Sequence, residues 1–134
     1  MINEKELIAL AFKAKENTYS PYSHFPVGAC VLCKDGSTFM GANIENASFG
    51  LTNCAERSAL FAAYSAGYRK GDIESIAIVS DAKNLSAPCG ACRQVLNELL
   101  SKNTPIYISN GKESVTKTID DLLPMSFGPD DLDV

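Results

Sequence analysis

No apolar run in this sequence approaches the roughly 20 residues that a membrane-spanning helix needs, so no membrane association is expected. The opening residues, Met1-Ile-Asn-Glu-Lys-Glu, lack the basic and apolar pattern of a secretory signal. Positive charge is scarce too. The chain carries 12 Lys and Arg against 16 Asp and Glu, for a net charge of −4. Neutralising phosphates takes clustered Lys and Arg, so nucleic acid is not the expected partner. Repeats, low-complexity stretches and linkers are missing, and the 134 residues read as a single domain, 1–134. Cysteines number five, an odd count, and no targeting pattern accompanies them. A disulfide framework is therefore not expected. Reduced thiols that ligate a metal or fill a core are, in a cytoplasmic protein. The one histidine, His24, follows Pro21-Tyr-Ser in a loop, which suits a surface or binding-loop role better than ligation.

What is present is ordinary globular composition. Hydrophobic residues make up 46% and charged residues 21%, which argues against disorder and a coiled coil. A chain of this length buries about two thirds of the surface its unfolded form exposes, so it needs no disulfide staple. Residues 3 to about 19 carry a broad apolar stripe (Leu7, Ile8, Leu10, Ala11, Phe12, Ala14) and read as a helix that Pro21 ends. Residues 27–32 and 38–43 read as a hairpin around Asp35-Gly36-Ser37. Residues 46–53 are small and polar, hence loop. Residues 54–68 read as an alanine-rich helix. Residues 73–80 hold a continuous apolar core, as a buried strand does. Residues 89–100 read as a further helix. Short strands at 105–109 and 115–118 flank Asn110-Gly111. From Leu122 onward a short helical turn and an acidic tail are expected, with Asp130, Asp131 and Asp133 as solvated surface. Strands alternating with helices imply an α/β sandwich, with helices on a mixed sheet.

Two short stretches carry most of the chemistry: Asn53-Cys54-Ala55-Glu56-Arg57 and Ser86-Ala87-Pro88-Cys89-Gly90-Ala91-Cys92-Arg93-Gln94. Each lies where a loop becomes a helix. Cys89 and Cys92, three apart on a helix, share a face. That suits two thiolates on one tetrahedral zinc, and Cys54 supplies a third soft ligand. Three protein ligands leave one position open, as catalytic rather than structural zinc sites do. Glu56 sits in the same first helical turn as Cys54. Three thiolates make a net negative centre, which the partial positive charge of two helix N-termini offsets. Arg57 reads two ways, as a hydrogen-bond donor to a thiolate or as a surface charge. Buried core thiols are the competing account of any single cysteine. Cys30 and Cys33 also spell C-x-x-C, but residues three apart on a strand point to opposite faces. Both read as core or sheet-surface residues.

This pair of stretches resembles the zinc deaminases, in which His or Cys, then x-Glu, precedes Pro-Cys-x-x-Cys. The likeness narrows in the first half. Pro21-Tyr22-Ser23-x-Phe25-Pro-Val27-Gly28-Ala29, Gly41-x-Asn43-Ile44-Glu45-Asn46-Ala47 and Cys54-Ala-Glu56-Arg57 look like the small homotetrameric, three-cysteine cytidine deaminases. Leu122-Leu-Pro124-x-Ser126-Phe127-Gly128 resembles them near the end.

The resemblance implies a cytidine-deaminase-like α/β sandwich, with a mixed sheet of about five strands flanked by helices. It implies one Zn²⁺ per subunit on Cys54, Cys89 and Cys92, and Glu56 as the catalytic proton carrier. The substrate it implies is a free pyrimidine nucleoside, cytidine or deoxycytidine, deaminated to the uridine form in pyrimidine salvage. Asn43 and Glu45 would grip the ribose 3′-hydroxyl, Phe25 would pack beside the pyrimidine, and Ala55 would offer its backbone to the base. Phe127 and Tyr22 would complete a neighbouring subunit's pocket, which makes a homotetramer with active sites at subunit interfaces. Two other readings stand beside this one. Deaminases of nucleic acids, free bases and base analogues share the metal motif, and the acidic charge and Asn43-x-Glu45 argue for a nucleoside instead. A non-catalytic zinc module would hold metal without releasing ammonia, and Glu56 beside an open ligand position opposes it.

Overall fold

β1 (Val27–Cys33) has no polar side chain, β3 (Ile73–Ser80) has an apolar centre from Ile76 to Val79, and the fold buries both of their faces. The structure, a computed structural model, describes residues 1–132. With β2 (Thr38–Ala42), β4 (Ile106–Ser109) and β5 (Ser114–Lys117) these strands form one mixed sheet, ordered β2-β1-β3-β4-β5. β3 and β4 run parallel and the other neighbours antiparallel.

Strand alternation sorts the core into two layers. Cys30, Leu32, Ala77 and Val79 meet Leu7 and Ala11 of α1 (Glu4–Lys15) on one face. Ala29, Val31, Ile76 and Ile78 meet α2 (Ala55–Ser65), α3 (Gly90–Leu99) and the short α4 (Ile119–Leu122) on the other. Each fully buried Leu or Ile contributes about 1.5–3 kcal/mol relative to exposure. Cys30 and Cys33 fall in opposite layers, as the strand period requires, and burial pushes both thiols up to about 11. They are protonated, inert core fillers.

The element bounds shift where tertiary contacts compete with local pattern. α1 stops at Lys15 rather than near Tyr19, because the Tyr19 backbone pairs elsewhere. Its N–H donates to Asn43 O at 3.0 Å and its carbonyl accepts from Glu45 N at 2.8 Å. Cys54 and Cys89 are N-caps, one residue ahead of their helices. α2 ends earlier than its alanine run, since Gly67 takes φ +100° just beyond it. The 46–53 loop contains one 3-10 turn, Phe49–Leu51. A short helix lies at Ile119–Leu122, ahead of the expected place, where Thr118 and Asp121 form a reciprocal capping box, and a 3-10 turn follows at Pro129–Leu132, within the stretch where a helical turn was expected. Asp130 and Asp131 are exposed, and Asp133 lies outside the described residues.

The sheet order decides where the helices begin. β2 and β3 end at the edge where β1 starts, with Val27 opposite Ser80 and Gly28 opposite Ala42. The loops after β2 and β3 therefore deliver the N-termini of α2 and α3 to the same end of the sheet. Gly41 lets α2 approach closely. A Cβ there would lie 2.5 Å from Ala59 N and 2.6 Å from Ala55 O.

Candidate functional site

Three sulfurs meet at that end of the sheet. Cys54 caps α2, Cys89 caps α3, and Cys92 lies in the first turn of α3. Cys54 Sγ and Cys89 Sγ are 3.9 Å apart, and all three sulfurs lie within 4.8 Å of one another. Tetrahedral thiolates about 2.3 Å from a zinc ion stand about 3.8 Å from each other, so the cluster has the size and softness of a zinc site. Among the described residues no fourth His, Cys, Asp or Glu joins it.

The surroundings favour thiolate. Two helix N-termini point their positive ends at the sulfurs. Arg57 Nη2 donates to Cys54 Sγ at 3.4 Å, and Arg57 Nε is buried without a protein partner. The Cys54 thiol is pulled down to about 5, first by a hydrogen bond from Cys92 and then by the Arg57 guanidinium. Cys92 moves the opposite way, because it gives that bond and is buried.

A cavity of about 280 Å³ opens over the cluster. Cys54, Ala55, Glu56 and Cys89 line its floor. Glu56 is the second residue of α2, 4% exposed, and burial pushes its carboxyl up to about 7, with the Cys54 charge adding to the rise. A carboxyl tuned there is half charged near neutrality, as a proton carrier needs to be. Pro88 and Ala87 form one wall and Ile78 to Ser80 another.

Phe25, Asn43 and Glu45 line the opposite side. The Asn43 side chain is largely spent inside the protein. Its Oδ1 accepts from Val27 N at 2.9 Å and from Thr18 Oγ1, and its Nδ2 donates to Phe25 O at 2.9 Å. An amide has two N–H groups and two lone pairs. One Asn43 N–H is left over. Glu45 Oε1 accepts from Tyr22 N at 3.0 Å and Ser23 N at 3.1 Å, and its Oε2 accepts from Ser23 Oγ. These bonds hold the Glu45 carboxyl below the usual carboxylate range, the Ser23 hydroxyl foremost. The loop that carries Phe25 thus hangs on the side chains of Asn43 and Glu45.

Tyr22 and Phe127 stand apart from this cavity. Tyr22 is 50% exposed and packs edge-on to Phe49, with ring centroids 6.2 Å apart. Phe127 is 59% exposed, and its carbonyl accepts from Gln94 Nε2 at 2.7 Å and Asn97 Nδ2 at 3.1 Å. His24 is an exposed loop residue at φ +55° and does not line the cavity. The sequence assigns no cavity role to Ser23, Thr52 or the Ser86–Pro88 wall. Ser23 and Ser86–Pro88 lie inside the quoted motifs and could have been found there; Thr52 carries no local signal.

Comparison with known proteins agrees with this geometry. Residues 1–108 match the model of the cytidine and deoxycytidylate deaminase zinc-binding region. The chain is 51% identical to the cytidine deaminase of Halalkalibacterium halodurans over 132 residues, 98% of each chain. It is 45% identical to the cytidine deaminase of Sporosarcina psychrophila, over 96% of this chain and 93% of that one. The crystal structure of the cytidine deaminase from Burkholderia pseudomallei superposes with a TM-score of 0.91 at 46% identity, covering 94% of this chain and all of the other.

Proposed function

The chain belongs to the cytidine and deoxycytidylate deaminase family, and on that premise we propose how its single domain turns cytidine and deoxycytidine into uridine and deoxyuridine. It is a zinc-dependent hydrolase. The observation that carries the proposal is a buried carboxyl, Glu56, on the floor of a cavity beside three convergent sulfurs.

Cytidine and water give uridine and ammonia. Zinc on Cys54, Cys89 and Cys92 supplies Lewis acidity that makes water nucleophilic near neutral pH. Glu56 takes a proton from the attacking water and delivers it to ring N3, which makes C4 electrophilic. Oxygen adds at C4. Glu56 then moves the proton of the new C4 hydroxyl to the amino group. Ammonia leaves, the C4 carbonyl forms, and N3 keeps its proton. Phe25 packs along the pyrimidine, and the Ala55 backbone at the first turn of α2 meets the base. Arg57 draws charge from Cys54, which offsets the electron-rich sulfurs.

The sugar end selects a nucleoside over a nucleotide. Asn43 has one N–H to give, and Glu45 is acceptor-only. A hydroxyl that accepts from Asn43 and donates to Glu45 satisfies both. A phosphate has no proton to offer the carboxylate and is repelled by it. Among the described residues that line the cavity, none is cationic. In a panel, cytidine and deoxycytidine are turned over, whereas deoxycytidylate, cytosine, adenosine and a single-stranded oligonucleotide are not. Turnover of deoxycytidylate or the oligonucleotide at the cytidine rate would reject the reading.

The exposed apolar residues support a homotetramer. Tyr22 and Phe49 pack on each other while exposed, and Leu51 and Phe127 are exposed as well; such large apolar groups suit burial against another copy of the chain. Phe127 does not line its own cavity, and in this tetramer it closes a neighbour's. Light scattering should give the mass of four chains, and a monomer that retains full activity overturns the shared site. Ligation needs reduced thiols, which fits a cytoplasmic setting.

A further inference from the structure

Of the three sulfurs, Cys89 has the least regular support. Cys92 is fully buried on a helix. Cys54 holds a bond from Arg57 at 3.4 Å. Cys89 is exposed, extended at φ −66° and ψ 168°, and follows residues 81–88, which form neither helix nor strand. Pro88 has no N–H with which to anchor that approach. Its carbonyl is anchored instead. Arg93 Nε donates to Pro88 O at 2.7 Å, and Arg93 Nη1 donates to Leu122 O at 2.7 Å.

Leu122 ends α4 and belongs to the core with Ile119. Carbonyls at a helix end lack partners within the helix, so one is free to take an outside donor. Arg93 lies one turn into α3, and helical side chains lean back toward the N-terminus. That lean brings its guanidinium to the peptide ahead of Cys89. The group is planar and permanently charged, with donors in a rigid fork. One fork therefore joins a core-anchored helix end to the peptide that aims Cys89.

We propose that Arg93 is a positioning residue of the metal centre, holding the Pro88–Cys89 peptide against Leu122 so that Cys89 Sγ meets the sulfurs of Cys54 and Cys92. Its task differs from that of Arg57, which touches sulfur directly. A lysine at this position keeps the charge but is a point donor on a flexible stem, and cannot span both carbonyls in one geometry.

The inference rests on the three-sulfur zinc site described above. The test uses purified, zinc-loaded full-length enzyme and a chromogenic chelator that reports zinc release. Arg93→Lys and Arg93→Gln release zinc about 10- to 100-fold faster than wild type, the scale expected when the support of a metal ligand is removed. Turnover per bound zinc and KM for cytidine change far less. Tyr64→Phe is the control. It removes the Tyr64 hydroxyl bond to Leu99 O, 2.7 Å, at the far end of the same helix. It should lower the melting temperature without speeding zinc release. Should Arg93→Gln fail to fold, Arg93→Lys decides. Release at the wild-type rate from Arg93→Lys, or equal acceleration by Tyr64→Phe, overturns the brace while leaving the zinc site standing. A wild type that binds no zinc overturns both.

Discussion

Glu56→Gln keeps its zinc and loses cytidine turnover by about 10³- to 10⁴-fold, the top of the range for general acid–base catalysis. The loss should be this large because the proposed mechanism gives Glu56 two transfers, one to N3 and one to the amino group. A thousandfold loss corresponds to about 4 kcal/mol of transition-state stabilisation. Glutamine matches glutamate in shape, so the cavity floor keeps its packing. It removes only the ability to accept and return a proton. Zinc stays because the sulfurs of Cys54, Cys89 and Cys92, not this carboxyl, form the ligand cluster. KM should change little, since no bond to the sugar is touched. Loss of cytidine absorbance and metal analysis on the same sample check both halves. A variant that deaminates at near wild-type rate removes Glu56 from its role.

Cys89→Ala loses its zinc, and turnover with it, while the fold survives. The choice of cysteine matters. Cys92 is fully buried, so replacing it also opens a cavity among core side chains. Cys89 is exposed and lies outside both core layers, so its removal isolates ligation from packing. Two sulfurs and solvent hold zinc far less well than three. The melting temperature should fall only by the share of stability that zinc binding contributes, and chelator-treated wild type should melt at a similar temperature. Full zinc occupancy in Cys89→Ala would remove that residue from the ligand set.

Much of the site was legible before any coordinates because its chemistry is packed into short segments. Cys89 and Cys92 are one helical turn apart, and Cys54 and Glu56 share the start of another helix. Their residue types and spacing are local facts. Asn43 and Glu45 were legible as a pair, but not the loop that their side chains hold. That Asn43 has already spent three of its four hydrogen-bonding positions on Thr18, Phe25 and Val27 follows from a loop folding back, not from spacing. Arg93 was invisible for the same reason. An arginine after Cys92 looks like any helix-surface charge until Pro88 O and Leu122 O come within 2.7 Å of it. The end of α1 failed similarly, since its apolar stripe says nothing of Ile44 pairing with Tyr19.

The chain by itself determined which atoms are available: three soft sulfurs, one carboxyl among them, and two helix starts with their positive ends. The alternation of strand and helix segments along the chain also implied that these atoms sit on a mixed sheet clothed by helices. Only the tertiary structure decided that sulfurs 35 residues apart in the chain stand 3.9 Å apart in space. It also decided that Glu56 is buried on the floor of the cavity beside them. Both depend on the order β2-β1-β3, which brings two loops to one end of the sheet. Strand order is settled by long-range burial, and that energy belongs to no single segment of the sequence.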